Sequence, residues 1–264
     1  MRLCWATDVH LNFVGAEGIA RFCDAVNAAR PDVFVITGDI AEADSLGGIL
    51  DDVEQRTEQP TWFVLGNHDF YRGAIAEVRA AAAARRGRVR WLGSAGVVAL
   101  GAETGLIGHD GFGDARLGVP ETTRVVLNDS LYIAELAQAE SRGRADFLAL
   151  LRALGDESAA HVERTLSEAL ERFPRVVLAT HVPPWREACW HEGHISNDQW
   201  LPFFACDAVG QTVQRVMAAH PERRLTVLCG HTHGGGRADI APNITCFTGA
   251  AEYGAPALQA AIEL

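Results

Sequence analysis

The sequence is short of the features that would place the protein in a membrane, in the secretory pathway or along a nucleic acid. No apolar run approaches the length of a bilayer-crossing helix, about 20 residues. The opening stretch, MRLCWATDVH, has neither a long apolar core nor a small-residue cleavage site, and a polar segment has begun by Asp8. No secretory signal is legible there, so a cytoplasmic protein is expected. The six cysteines (Cys4, Cys23, Cys189, Cys206, Cys229 and Cys246) lie far apart with no C-x-x-C pair. That spacing excludes a structural zinc site, and without a leader it argues against a disulfide framework. Reduced thiols acting as small buried hydrophobes are expected instead.

Basic residues are also scarce, 23 against 34 acidic ones, for a formal charge of −11. A basic footprint for long nucleic acids is therefore missing. A small phosphorylated substrate stays open, because a local cationic site can override the global sign. Internal repeats are absent, and the one biased stretch, Arg79 to Arg86, is helix-favouring alanine between arginines.

What is present is an ordinary globular composition, 48% apolar and 22% charged over 264 residues, enough to bury a sizeable core. RLCWATDVH reads as a short strand that ends in Asp and His. Ile19, Phe22, Cys23 and Val26 follow at helical spacing until Pro31. DVFVITGDI is a continuous apolar strand of the kind covered on both faces. Leu46, Ile49, Leu50 and Val53 mark a second helix. TWFVLGNHD is a third strand, with an alanine-rich helix near Arg72 to Arg86 behind it. This β-α-β-α-β-α order implies a parallel sheet with ligands gathered at the carboxyl ends of its strands.

The short runs VRWL, GVVAL and TGLIGHDG then suggest antiparallel additions or a second sheet. Residues 111 to 172 read as a loop followed by a mostly helical excursion from Leu127 to Phe173, packed on a single domain covering 1–264. RVVLATHVPP and LTVLCGHTHGGG return to strands, with a helix over residues 205 to 219 between them. NITCFTGAAEYG and ALQAAIEL supply the last strands.

Five strand ends carry unusual residues: Asp8-x-His10, Gly38-Asp39, Gly66-Asn67-His68-Asp69, Thr180-His181 and Gly230-His231-Thr232-His233. Each alone has an ordinary explanation as a turn, a surface residue or a satisfied core histidine. An α/β sheet places all five along one edge. Carboxylates, an amide and several imidazoles packed there need something cationic among them. Oxygen and nitrogen donors without a thiolate suit Mn, Fe, Zn, Ni or Co. The seven donors exceed the needs of one ion, so two ions sharing Asp39 is the economical arrangement, as in phosphate-ester hydrolysis.

These blocks, D-x-H, G-D-x-x-E, G-N-H-D, a lone His and G-H-T-H in that order, resemble the calcineurin-like metallophosphoesterases. The resemblance runs from Asp8 to His233. It implies an α/β fold, a four-layer αββα sandwich of two mixed sheets flanked by helices. It further implies that Asp8, His10 and His233 hold one metal, that Asn67, His181 and His231 hold the other, and that Asp39 bridges them. His68 would be the imidazole that is not a ligand. Alternation along the strand supports this, because a neighbour of a metal-facing Asn67 points elsewhere, towards a substrate phosphate. There it can donate a proton to the leaving oxygen or stabilise the transition state. Glu42, three residues after the bridging Asp, is the implied orienting partner of that ring, with Asp69 as competitor. Gly66 reads as the hinge at the turn.

The mechanism implied is in-line attack of a metal-bridging hydroxide on phosphorus, with no covalent enzyme intermediate. For the substrate, Arg72, His109 and Arg186 are candidate contacts. Trp185 and Trp190 either stack a flat group or form a clasp over the helical excursion, the clasp being favoured. A phosphodiester or phosphomonoester of modest size is expected, with a nucleotide first. A nuclease or a protein phosphatase ranks lower. A scaffold that kept the fold but lost catalysis would show gaps among the ligands, and none is seen.

Overall fold

The computed structural model describes residues 1–264 as two sheets face to face with helices on both outer sides. The first half of the chain runs β1 (Arg2–Ala6), α1 (Gly15–Ala29), β2 (Val33–Thr37), α2 (Ala43–Arg56), β3 (Thr61–Val64), α3 (Ile75–Ala84) and β4 (Val89–Trp91). Strands β1 to β4 are parallel neighbours, and β13 (Ile262–Glu263) closes the sheet antiparallel to β1. The expected β-α-β-α-β-α order is borne out.

Each strand's continuous apolar run divides by parity, as a strand covered on both faces must. Cys4, Phe34, Ile36 and Phe63 face the core under the helices. Their neighbours Leu3, Trp5, Val33, Val35, Trp62 and Val64 face the second sheet.

That second sheet is built from β5 (Val98–Leu100), β6 (Thr104–His109), β7 (Arg175–Thr180), β10 (Arg224–Cys229), β11 (Gly236–Ala241) and β12 (Ile244–Thr248), in the order β11-β12-β10-β7-β6-β5. Four of these are parallel, and antiparallel β5 and β11 form the two edges. Of the short runs, VRWL extends the first sheet, whereas GVVAL and TGLIGHDG begin the second. Strand β11 and a small hairpin of β8 (Trp190–His191) and β9 (His194–Ile195) were not legible. Gly236-Arg-Ala-Asp lacks an apolar run, and the hairpin strands are two residues each.

The helical excursion consists of α4 (Asp129–Tyr132), α5 (Ala134–Arg142) and the 29-residue α6 (Arg144–Arg172). Its two apolar clusters serve two cores. Phe147, Leu148, Leu151 and Leu154 join the layer outside the first sheet. Val162, Leu166 and Leu170 cover the second sheet beside α8 (Asp207–Ala218). The carboxyl-terminal half of α6 is thus a regular outer layer of the sandwich. The helix expected over 205 to 219 is α8, and α7 (Leu201–Phe204) precedes it as a separate turn. All six cysteines are buried and unpaired; the sulfurs of Cys229 and Cys246 lie 3.7 Å apart on adjacent strands. No helix is long and apolar enough to cross a membrane.

Candidate metal centre

The five polar blocks leave the carboxyl ends of β1, β2, β3, β7 and β10 and meet. The backbone does this by turning sharply: Asp8, His10, Asp39, His231 and His233 all have φ between 40° and 69°. Non-glycine residues rarely take that left-handed conformation, which costs about 1–3 kcal/mol each. Backbone hydrogen bonds hold the turns, from Asp8 N to Gly38 O (3.0 Å), His10 N to Asp39 O (3.0 Å) and Leu11 N to Ile40 O (2.8 Å). Five strained residues bring five donor side chains to one point.

The result is two groups sharing Asp39. In the first, one ligand atom from each of Asp8, His10, Asp39 and His233 lies within 4.8 Å of the others. His233 Nε2 sits 3.2 Å from Asp8 Oδ1, and His10 Nε2 is 3.8 Å from Asp39 Oδ2. In the second group Asn67 Oδ1 faces His181 Nε2 at 3.0 Å and His231 Nδ1 at 2.9 Å, with His181 Nε2 also 3.4 Å from Asp39 Oδ1. The distal ring nitrogens are tied to carbonyls: His181 Nδ1 to Thr37 O (2.8 Å) and His231 Nε2 to Phe203 O (3.0 Å). Such bonds fix tautomer and ring orientation, leaving the other nitrogen to ligate.

The protein alone leaves this centre unsatisfied. Both ring nitrogens of His10 are buried without a hydrogen-bond partner. Burial pushes His10 down to about 3 and His231 down to about 3, so both rings are neutral donors of electron pairs. Burial, reinforced by Asp8 and Asp69, pushes the Asp39 carboxyl up. Burial opposes the ionisation of Asp8, yet the bond from His233 and the nearby His181 hold its carboxyl below the usual range. Cations are the natural remedy for such crowding of lone pairs. The donor set fits divalent metal ions.

Two glycines matter through close approach. A Cβ on Gly66 would collide with the Asp39 carboxylate, and one on Gly230 with the Asp8 carboxylate and the Thr7 hydroxyl. Gly66 is therefore not the expected hinge; its φ is ordinary and what it provides is room. Asp69 accepts from the backbone N–H of Ile40 (2.9 Å), Ala41 (2.8 Å) and Gly66 (2.8 Å), clamping the two ligand loops together.

His68 stands beside the ligands at the wall of an open cleft of about 320 Å³. Its Nε2 is 3.5 Å from the Tyr253 hydroxyl and 4.0 Å from Asp39 Oδ2, and its ring stacks on Tyr71 at 4.2 Å. The strand-alternation argument does not explain this placement, because β3 ends at Val64 and residues 68–70 form a tight 3-10 turn.

The expected partner of His68 needs correcting as well. Glu42 pairs with Arg72 (3.2 Å) at the start of α2, and the buried Nδ1 of His68 has no partner.

The proposed substrate contacts lie elsewhere. Arg72 is held by Glu42 and Asp44 outside the cleft. Arg186 pairs with Asp198 at 2.7 Å. His109 is buried against His161 of α6, ring to ring at 4.8 Å, and neither it nor Arg186 lines the cleft. The neighbouring charges are structural too: Asp110 takes bonds from Leu65 N, Trp91 Nε1 and Arg79 Nε. Trp185 is buried in the core cluster that α6 and α8 share, with its indole against Gly210 of α8, and Trp190 lies against Gly234 and Gly236.

Two cleft residues escaped the sequence reading. Asp129, at the start of α4, accepts from Asn67 Nδ2 (2.8 Å) and from the Tyr71 hydroxyl (2.7 Å). Tyr253 covers His10 with ring centroids 4.5 Å apart. Neither sits in a motif, and only the fold brings them to the centre.

Comparison with known proteins agrees with this geometry. The profile of the Calcineurin-like phosphoesterase family matches residues 1–235. Among solved structures, a phosphopantetheinyl hydrolase from Mycobacterium tuberculosis is similar with a TM-score of 0.66 at 15% identity, covering 96% of this chain and 89% of that one. A dimetal phosphatase from Danio rerio gives 0.54 at 14% identity over 94% and 86% of the two chains. GAP50, the anchor in the inner membrane complex of Plasmodium, gives 0.52 at 9% identity over 95% and 71%. Curated protein sequences give no significant match.

Proposed function

The chain belongs to the calcineurin-like phosphoesterases and is a metal-dependent phosphoric ester hydrolase; from that premise we propose that it cleaves a phosphodiester or phosphomonoester of modest size, a nucleotide ester first among them. The observation that carries the reading is the seven-donor cluster about Asp39, with both nitrogens of His10 buried and unpartnered. Asp8, His10 and His233 would hold one divalent ion and Asn67, His181 and His231 a second, with Asp39 shared. Ions bound there supply an activated water and neutralise charge on the phosphoryl oxygens.

The chain's own contributions are positional. Thr37 O and Phe203 O orient the His181 and His231 rings, and Asp129 orients the Asn67 amide. His68 faces the cleft from outside the ligand set, where its N–H can bond the leaving oxygen and stabilise the charge that gathers on it as the ester breaks. The flat walls of the cleft, Tyr71, Tyr253, His191 and Phe204, suit a leaving group with a ring.

The same fold serves as an anchor in GAP50 by that protein's description. A complete ligand set favours catalysis in this chain. Metal content after native purification, with turnover of p-nitrophenyl phosphate and bis-p-nitrophenyl phosphate, tests the reading. Bound transition metal and a rate lost in Asp39→Ala are expected. Metal-free protein, or equal rates for wild type and variant, would refute it.

A further inference from the structure

A second concave site lies away from the metal cleft and shares no lining residue with it. It has a volume of about 430 Å³ and is lined by Trp62, Trp91, Arg85, Arg86 and Arg90, together with Ser94, Ala95 and Val98. It opens where the edge strand of one sheet, β4, comes beside the edge strand of the other, β5.

The local sequence, Arg85-Arg86-Gly87-Arg88-Val89-Arg90-Trp91, is strongly basic in a chain of formal charge −11. All 23 basic residues are arginine, since the chain contains no lysine. The carboxylates nearby are already engaged. Asp51 takes Arg85 at 3.0 Å, and Glu54 takes Arg85 at 3.1 Å and the Arg88 backbone N–H at 2.7 Å. Arg86 bonds only the carbonyls of Ala83 and Arg85, and no acid faces it. Arg90 makes neither a hydrogen bond nor an ion pair. Its guanidinium lies over the Trp62 ring, 4.3 Å from the centroid.

That stack is the informative contact. An indole holds a guanidinium by its face, which fixes the group while leaving its N–H edges free to form a two-point contact with an anion. An unpaired Arg86 beside it supplies a second positive charge. Trp62 and Trp91 are themselves buried, so they form a rigid base to the cavity, with Trp62 beneath the Arg90 guanidinium. We propose that this cavity binds the phosphate group of a small phosphate monoester, held on Arg86 and Arg90. The site is separate from the metal centre and does not depend on the phosphoesterase reading.

The test is a titration of the metal-loaded protein with adenosine 5′-monophosphate, followed by calorimetry and by the indole N–H resonances of its tryptophans. Saturable binding that moves the Trp62 resonance is expected, weakened at least about tenfold in Arg90→Gln, the size expected for losing one charge-assisted contact. Arg90→Lys, which keeps the charge but not the planar fork, should fall between. Should Arg90→Gln disturb folding, judged by loss of indole dispersion, Arg86→Gln removes an exposed side chain with no tertiary bond and should weaken binding by itself. An isotherm unchanged in these variants, or shifts confined to residues of the metal cleft, would overturn the proposal.

Discussion

The Asp129 carboxylate, from the helical segment in the middle of the chain, accepts a hydrogen bond from the Asn67 side-chain amide at 2.8 Å. The bond settles which end of that amide faces the metal site: Nδ2 points to Asp129, and Oδ1 is left for His181 and His231. A segment outside the five motifs thus orients a proposed metal ligand. Asp129→Ala should lower metal affinity at the Asn67 group by about 10–100-fold, the usual effect of removing such a support. Asp129→Asn keeps an acceptor oxygen and should recover most of it. Metal stoichiometry measured by calorimetry would decide, and equal affinities in all three proteins would remove Asp129 from this role.

His10 is the donor for which the metal-free protein has least use. Its two unpartnered nitrogens are each of a kind that costs about 1–3 kcal/mol when buried. His10→Phe should therefore bind less metal and lose turnover, yet unfold with a free energy about 1–3 kcal/mol higher than wild type when both are stripped by a chelator. Lower stability of the stripped variant would mean that the imidazole is satisfied in another way.

His68 lies at the cleft wall beside the ligands rather than among them. His68→Ala should keep the full metal content while turnover falls about 10²–10³-fold, the range for losing one hydrogen-bond donor to an oxygen that gathers charge. Loss of an ion on this substitution would make His68 a ligand.

His109 gives the pH prediction. Burial pushes its ring down to about 3 from the ordinary 6.5, so the folded protein refuses a proton that the unfolded chain accepts. The stability it contributes is present above about pH 6.5 and is lost as pH falls towards 3, at up to about 1.4 kcal/mol per pH unit. Denaturant unfolding at pH 7.5 and pH 5.0 should show this loss shrinking by about 2 kcal/mol in His109→Phe. An identical loss in both proteins would show that the acid sensitivity lies in other groups.

Much of the architecture was legible because each parallel strand is a continuous apolar run that ends in Gly or a polar cluster. The convergence of Asp8, Asp39, Asn67, His181 and His231 followed from that order alone. The turns that complete the convergence were not legible, because left-handed backbone at Asp8, His10 and Asp39 is written in the tertiary hydrogen bonds and not in the local residue types. Asp129 and Tyr253 were missed for a related reason: their neighbours in sequence carry no chemistry. Glu42 was misassigned because spacing from Asp39 says nothing of Arg72, which reaches it across the turn. Arg72, His109 and Arg186 looked available only while their partners, Glu42, His161 and Asp198, were invisible.

The backbone N–H of His231 reaches the Asp8 carboxylate oxygens across 223 positions of sequence. On a ribosome, the first donors of the centre would emerge long before the last. Until the segment around His231 and His233 has docked, Asp8, His10 and Asp39 form an incomplete cage with neither its full charge nor its full geometry. On the proposed two-ion reading, tight capture of both would therefore belong to the end of folding. Metal supply should govern how much active protein accumulates rather than whether the early strands form.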